Sequence, residues 1–280
     1  IISFFSLPSI VVFVENNFSK NKKILNVSKK NFDLIYNNKN QKVDESSNLK
    51  NIFDDIDVFS SDEENTNTSR LSASTIEQLF KDTRYNLNDV KKTKLINIGN
   101  TLDHLPNEMK NIENIKKRKN LFIQIVLPLI VEENVKIRLD RKKLFLILNK
   151  NNNSKSDIEW LNKKFKQYGV TKNDFSTLKV RIDEIPASLA IAQAAKETGW
   201  GTSRFAQEGN ALFGQWTWSG EGIKPAAADT NSKHKVASFK VLKASVKAYH
   251  RNINTHSSYR EFRRERSIQR DNYGKLNSLE

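Results

Sequence analysis

The chain has 280 residues, with 47 Lys+Arg against 32 Asp+Glu, a net charge of +15, a pI near 9.7 and a mean hydropathy of −0.63. The length allows one or two domains, and the absence of cysteine excludes disulfide scaffolds, thiol nucleophiles and Cys-ligated metal sites together. The basic excess is uneven: residues 1–120 carry 19 basic and 16 acidic side chains, residues 121–280 carry 28 and 16. Such a field attracts polyanions, whether nucleic acid, an anionic membrane surface or an acidic wall polymer, without choosing among them.

Ten of residues 1–14 (IISFFSLPSIVVFV) are apolar, and the first charge is Glu15. A spanning helix needs about 20 apolar residues and a signal-peptide core about 7–15, so residues 1–15 read as the tail of an export signal or membrane anchor. A buried strand or helix is the alternative. The first alanine is Ala73, so no small-x-small cleavage site follows, and an uncleaved anchor fits better. Residues 16–119 are rich in Asn, Lys, Ser and Asp, with twenty Asn in the first 120 residues. Stretches such as SDEENTNT bury too little apolar surface to offset the entropy of ordering them. This part reads as a low-complexity, mostly disordered tether, with short helices around Ile76–Phe80 and Leu95–Leu105.

Residues 120–280 read as one predominantly helical domain. Leu121, Phe122, Ile125, Val126, Leu129 and Ile130 share a wide helix face, within which Pro128 predicts a kink or a break. Amphipathic stretches follow at Val135–Leu148 and Asp157–Tyr168, the latter closed by Gly169. Pro186 opens ASLAIAQAAKETGWG, which Gly199 and Gly201 stop. On that helix Ala190, Gln193, Ala194 and Glu197 fall on one face, so a carboxylate follows a strip of small side chains. The loop SRFAQEGNALFGQWTW is dense in glycine and aromatics, and Gly222–Val241 reads as a β-hairpin. A further helix starts at Leu242 and leads into the basic stretch Arg260–Arg270.

The strings IPASLAIAQAAKETGWGTSRFAQEGNALFGQW, KHKVASFK and SVKAYHRNINTHSSYREFR, with the upstream LFIQIVLPLIVEENVKI, resemble the bacterial Bax-type proteins of the glucosaminidase superfamily. The likeness covers roughly Leu121–Asn277, and its motif is E-[ST]-G-W-G-x-S followed closely by N-x-L-F-G. It implies an α+β, mostly helical, lysozyme-like domain with a small β-hairpin lobe, acting on the glycan strands of peptidoglycan. In that family the glutamate closing the helix, here Glu197, is the general acid.

The residues agree with that role, because glycoside hydrolysis needs a carboxyl group still protonated near neutrality, and burial beside Ala190, Ala194 and Trp200 would raise it. The competing reading is a solvated Glu197 or one paired with Arg204. A partner carboxylate is expected roughly 5–9.5 Å away. Asp229 and Glu221 in the hairpin lobe are the candidates, with Glu208 in the preceding loop, and each is also readable as a solvated turn residue. A substrate N-acetyl group acting as internal nucleophile would reduce the second residue to an orienting one.

Trp200, Phe213, Gly214, Trp216, Trp218 and Tyr249 are the candidate substrate-binding residues. Aromatic planes suit the C–H faces of sugars, and core packing uses the same residues. Trp200 and Phe213 are expected in the core and Trp216 or Trp218 in the cleft; Tyr249 either reaches the cleft or fills the core. The four histidines show no HExxH or other metal spacing, and no cofactor motif is present. Arg260, Arg263, Arg264 and Arg266 are expected on a solvated face or against anionic wall polymer or lipid, rather than on nucleic acid.

Together these readings describe a β-N-acetylglucosaminidase cleaving the β-1,4 bonds of peptidoglycan, anchored at the inner membrane and facing the periplasm. A muramidase or lytic transglycosylase on the same fold is an alternative, as is a non-catalytic wall-binding module.

Overall fold

The computed structural model describes residues 69–96, 101–217, 221–224 and 235–273; residues 1–68, Trp218 and Asp229 lie outside the described residues. The centre is a helix, α3 (Ile115–Leu148), started by the Asn114 side chain accepting from the Lys117 amide at 2.9 Å. Its apolar face buries Leu121, Phe122, Ile125, Val126, Leu129 and Ile130. Pro128 neither splits nor ends it. A proline removes one backbone hydrogen bond at about 3 kcal/mol, and here it sits amid fully buried neighbours whose packing outweighs that loss. α6 (Ala187–Thr198) and α8 (Leu242–Thr255) pack against α3.

The tether expected over residues 16–119 does not hold from residue 69 onward. α1 (Ala73–Asp82) is capped by Ser72 and α2 (Leu87–Thr93) by Asn86, and a 3-10 turn spans Asn107–Asn111. Ile76, Phe80, Tyr85, Val90, Leu105 and Met109 are buried in the same core as Phe122, Ala194 and Tyr249. Polar contacts reinforce this: the Leu242 amide donates to the Asp103 carbonyl at 2.8 Å, and Arg70 donates to Asn107 Oδ1 at 2.7 Å. The helix expected near Ile76–Phe80 is present, whereas residues 101–105 are not helical and the second helix lies earlier, at Leu87–Thr93. Leu105 is fully buried, so Leu105→Ala is expected to lower the unfolding free energy by about 3 kcal/mol in a urea titration. A linker leucine would cost almost nothing.

A second core forms where α4 (Lys155–Gln167) and α5 (Phe175–Arg181) cover the C-terminal half of α3, through Ile137, Leu144, Leu161, Phe165 and Leu178. The Ser154 capping box starts α4. The closing helix α9 (Arg260–Tyr273) packs against α5.

Two of the four arginines expected on a solvated face of α9 are buried instead. Arg263 donates to the Ile253 and His256 carbonyls at 2.8 and 2.7 Å, satisfying the end of α8. Arg266, with 0% exposure, donates to the carbonyls of Val180, Asp183 and Glu184 and to Asn254 Oδ1. Burial pulls its guanidinium down to about 10, with Asp183 opposing that shift. His250 is also buried, and desolvation, aided by the charge of Arg266, holds it down to about 4. This polar layer ties α9 to α8 and to the residues entering α6.

The β lobe is a three-stranded antiparallel sheet in the order β1–β3–β2, where β1 is Trp216–Thr217, β2 Gly222–Ile223 and β3 Lys235–Ala237. Val236 stands opposite both Trp216 and Ile223. The expected pairing within Gly222–Val241 is present, and β1 adds a strand from the aromatic loop. The architecture is thus α+β, mostly helical with a small β lobe.

Candidate active site

Pro186 opens α6, and Gly199, at φ +57°, closes it in the left-handed region. Ala190, Ala194 and Thr198 form its buried face. The turn beyond is held tightly: the Gly201 amide donates to Thr198 Oγ1 at 2.9 Å, and the Thr202 and Ser203 amides reach the Thr198 carbonyl at 2.9 Å. A Cβ on Gly201, at φ +82°, would stand 3.0 Å from Phe122 Cδ2 and 3.1 Å from Leu105 Cδ1. Only glycine lets α3 and the N-terminal segment close on this turn.

The rest of the motif is equally structural. Ser203 caps α7 (Arg204–Gly209), accepting from the Ala206 amide at 3.2 Å. Asn210, itself at φ +49°, donates to the Phe239 and Lys240 carbonyls at 2.9 and 3.0 Å. The Leu212 amide donates to Ser245 Oγ at 3.0 Å. The loop carrying Phe213 and Gly214 is thereby fixed to both the β lobe and α8.

Glu197 is the exception. It is exposed, with no hydrogen bond or ion pair to any described residue. The burial expected from Ala190 and Ala194 is absent, because those alanines turn into the packing with α3 while Glu197 falls on the outer side of the last turn. The expected competitor, a pair with Arg204, is absent too: Arg204 donates to the Lys224 carbonyl at 2.6 Å and stands 4.0 Å from Glu208. Gly214, at φ +58°, fits against the carboxylate, since a Cβ there would lie 3.0 Å from Glu197 Oε2.

The other expected residues divide. Phe213 and Tyr249 are buried and stacked on each other, with centroids 3.9 Å apart and 10° between planes. Their faces are therefore closed to a sugar. Burial drives the Tyr249 phenol far up from its ordinary value, and its hydroxyl donates to Gln193 Oε1. Gln193 was not singled out as a site residue; its position four residues before Glu197 was the available signal. Trp200 is half-buried, edge-on to Phe122 at 5.9 Å, with the Lys119 ammonium 4.9 Å from its ring centroid. It supports the core side of the turn.

Trp216 is 49% exposed on β1. Glu221 is exposed just before β2, its carbonyl accepting from the Ser238 amide at 3.1 Å. A separate open cleft of about 780 Å³ lies between α1 and the start of α3, lined by Phe80, Arg84, Tyr85, Lys116, Asn120 and Gln124 among others. Glu197 is not among its lining residues.

Residues 174–278 match the family model described as mannosyl-glycoprotein endo-beta-N-acetylglucosaminidase. The chain is also 35% identical over 159 residues to Protein bax of Escherichia coli (strain K12). Over residues 174–278 the chain is thus glucosaminidase-like, and over about half its length it is similar to a Bax protein. That alignment takes in 54% of this chain and 56% of the relative, so the chain spans only about half the length of the protein it matches. No solved structure matches it. The family model begins at Asp174, whereas the hydrophobic core on which this region rests extends back to α3 and the N-terminal segment, whose Phe122, Leu105 and Met109 supply the floor under Gly201.

Proposed function

We propose that this protein hydrolyses the β-1,4 glycosidic bonds of peptidoglycan glycan strands as a β-N-acetylglucosaminidase, with Glu197 as general acid. The supporting observation is the Glu197 carboxylate, without a partner among the described residues, presented at the end of α6 against Gly214 and surrounded by backbone that the rest of the motif holds in place. Glu197 protonates the leaving glycosidic oxygen. Because its carboxyl group is open to water in the free protein, the bound glycan itself must cover it. Expulsion of water by the sugar then supplies the low-polarity surroundings that the acid requires. Asp229 or Glu221 activates the attacking water, or orients the acetamido group if that group is the internal nucleophile. Exposed Trp216 offers a sugar-stacking plane on the β lobe.

Digestion of purified peptidoglycan followed by mass spectrometry of the new ends tests the reading. N-acetylglucosamine reducing ends are expected. N-acetylmuramic acid ends make the enzyme a muramidase, and anhydro ends make it a lytic transglycosylase. Sedimentation with insoluble wall material without solubilisation makes it a binding module.

As part of the same proposal, residues 1–15 hold the protein at the inner membrane, facing the periplasm. Among the described residues no helix is long and apolar enough to cross a membrane. Membrane fractionation with alkaline extraction tests the anchor, and recovery of the protein in the extracted supernatant would overturn it.

A further inference from the structure

The groups around Glu197 form a closed circuit. Glu197 lies against Gly214, and the adjoining Phe213 stacks on Tyr249. Tyr249 donates to Gln193, which sits one helical turn before Glu197 on α6. Residues four apart on a helix share a face, with Cβ atoms about 5–6 Å from each other. The circuit therefore returns to its starting carboxylate.

Gln193 has an uncommon status within it. Its side chain is half-buried, and Tyr249 is the sole described residue to which it hydrogen-bonds. Tyr249 is 3% exposed and remains a protonated phenol, and its hydroxyl donates to Gln193 Oε1. With the carboxamide oxygen so engaged, both amide hydrogens are left for another acceptor. The amide nitrogen is not enclosed, and no described residue accepts from it. The fold thus leaves two N–H donors on the helix face that carries Glu197, one turn before it.

We infer that Gln193 determines specificity in the glycan site by donating from its amide nitrogen to the carbonyl oxygen of a 2-acetamido group on the sugar next to Glu197. This rests on the glycan reading above and adds the feature of the sugar that is recognised. A sugar hydroxyl donates or accepts equally well, so an oriented donor pair gains little selectivity from it. The acetamido carbonyl only accepts. A deacetylated sugar presents an ammonium group, which only donates, and places hydrogens against hydrogens. A site built to bond one group rejects the analogue lacking it, because its own polar atoms are then left unpaired.

The test is the ratio of affinities for chitotetraose and its fully deacetylated counterpart, measured by isothermal titration on the full chain. The expected wild-type preference for the acetylated oligomer is at least roughly tenfold. Gln193→Glu is nearly isosteric, keeps an oxygen to accept from Tyr249 and replaces the two donors by an acceptor. It is expected to bring the ratio to one or reverse it. Tyr249→Phe keeps the ring stacked on Phe213 but releases the carboxamide, and is expected to reduce the ratio part-way. An unchanged ratio in Gln193→Glu would falsify the inference while leaving the glycan reading intact. Wild-type protein that binds neither oligomer would sink both. Glu197→Gln should lose cleavage while still favouring the acetylated oligomer, which separates the selectivity of Gln193 from the chemistry of Glu197.

Discussion

Glu197→Gln is expected to lower the rate of peptidoglycan solubilisation by roughly 10²–10⁴-fold, the range over which a positioned general acid acts. The substitution keeps the shape of the side chain and its contact with Gly214, and removes only the transferable proton. Glu197 is exposed and makes no ion pair with a described residue, so the melting temperature should stay that of wild type; surface changes of this kind fall within about 0.5 kcal/mol. The pairing of lost turnover with preserved stability is what identifies a chemical role. Wild-type turnover by the Gln variant would remove Glu197 from the mechanism. Glu261 is a suitable control, being an exposed carboxylate engaged at 2.8 Å by Arg264 on α9, and Glu261→Gln should leave the rate unchanged.

The motif around Glu197 was legible in the sequence because its residues have few alternatives. Three successive positive φ values, at Gly199, Trp200 and Gly201, demand a local chain that only a glycine-rich turn supplies. What the sequence did not disclose was how that turn is supported from below. Ile76, Phe80, Val90, Leu105 and Met109 are spread over 34 residues rich in Asn and Lys. Helices of ten and seven residues offer only two and one buried positions respectively. Such sparse anchors give no sustained period, yet each inserts into a core made by other elements. The exposure of Glu197 is hidden from the sequence for a related reason. Helical spacing puts Ala194 and Glu197 on neighbouring positions, but the edge of the packed face falls between them, and only the partner helix decides where that edge lies.

The same limit applied to α9. A run such as REFRRERSIQR is compatible with a solvated helix, and the sequence carries no mark of which carbonyl groups lie beside it. The fold presents Arg263 to the end of α8, and Arg266 to the carbonyls around Asp183. Arg264 stays outside with Glu261 and Glu265. The net charge of +15 therefore overstates the basic surface available to a polyanion, since Arg263 and Arg266 are turned inward onto backbone carbonyl groups.

Asp183→Ala follows from that network as the largest expected loss of stability. The Asp183 carboxylate is 2% exposed and faces three guanidinium groups. Arg270 Nε donates to Oδ2 at 2.8 Å, and Arg141 and Arg266 approach the same oxygen at 3.7 and 3.8 Å. Oδ1 also accepts from the Glu184 amide at 2.9 Å. Removing the carboxylate leaves a fully buried Arg266 without its opposing charge, and loss of one partner from a buried pair costs about 3–5 kcal/mol. Arg264→Ala, on the exposed side of the same helix, should cost less than about 1 kcal/mol. Urea titrations of the two variants separate a structural from a surface role for α9, and equal midpoints would refute the assignment. The consequence reaches the site, because Asp183 lies three residues before Pro186, where α6 begins. Any slackening there is transmitted along the twelve residues of α6 that carry Gln193 and Glu197. In the folded fraction of Asp183→Ala, glycan affinity should therefore weaken even though Asp183 itself touches no sugar.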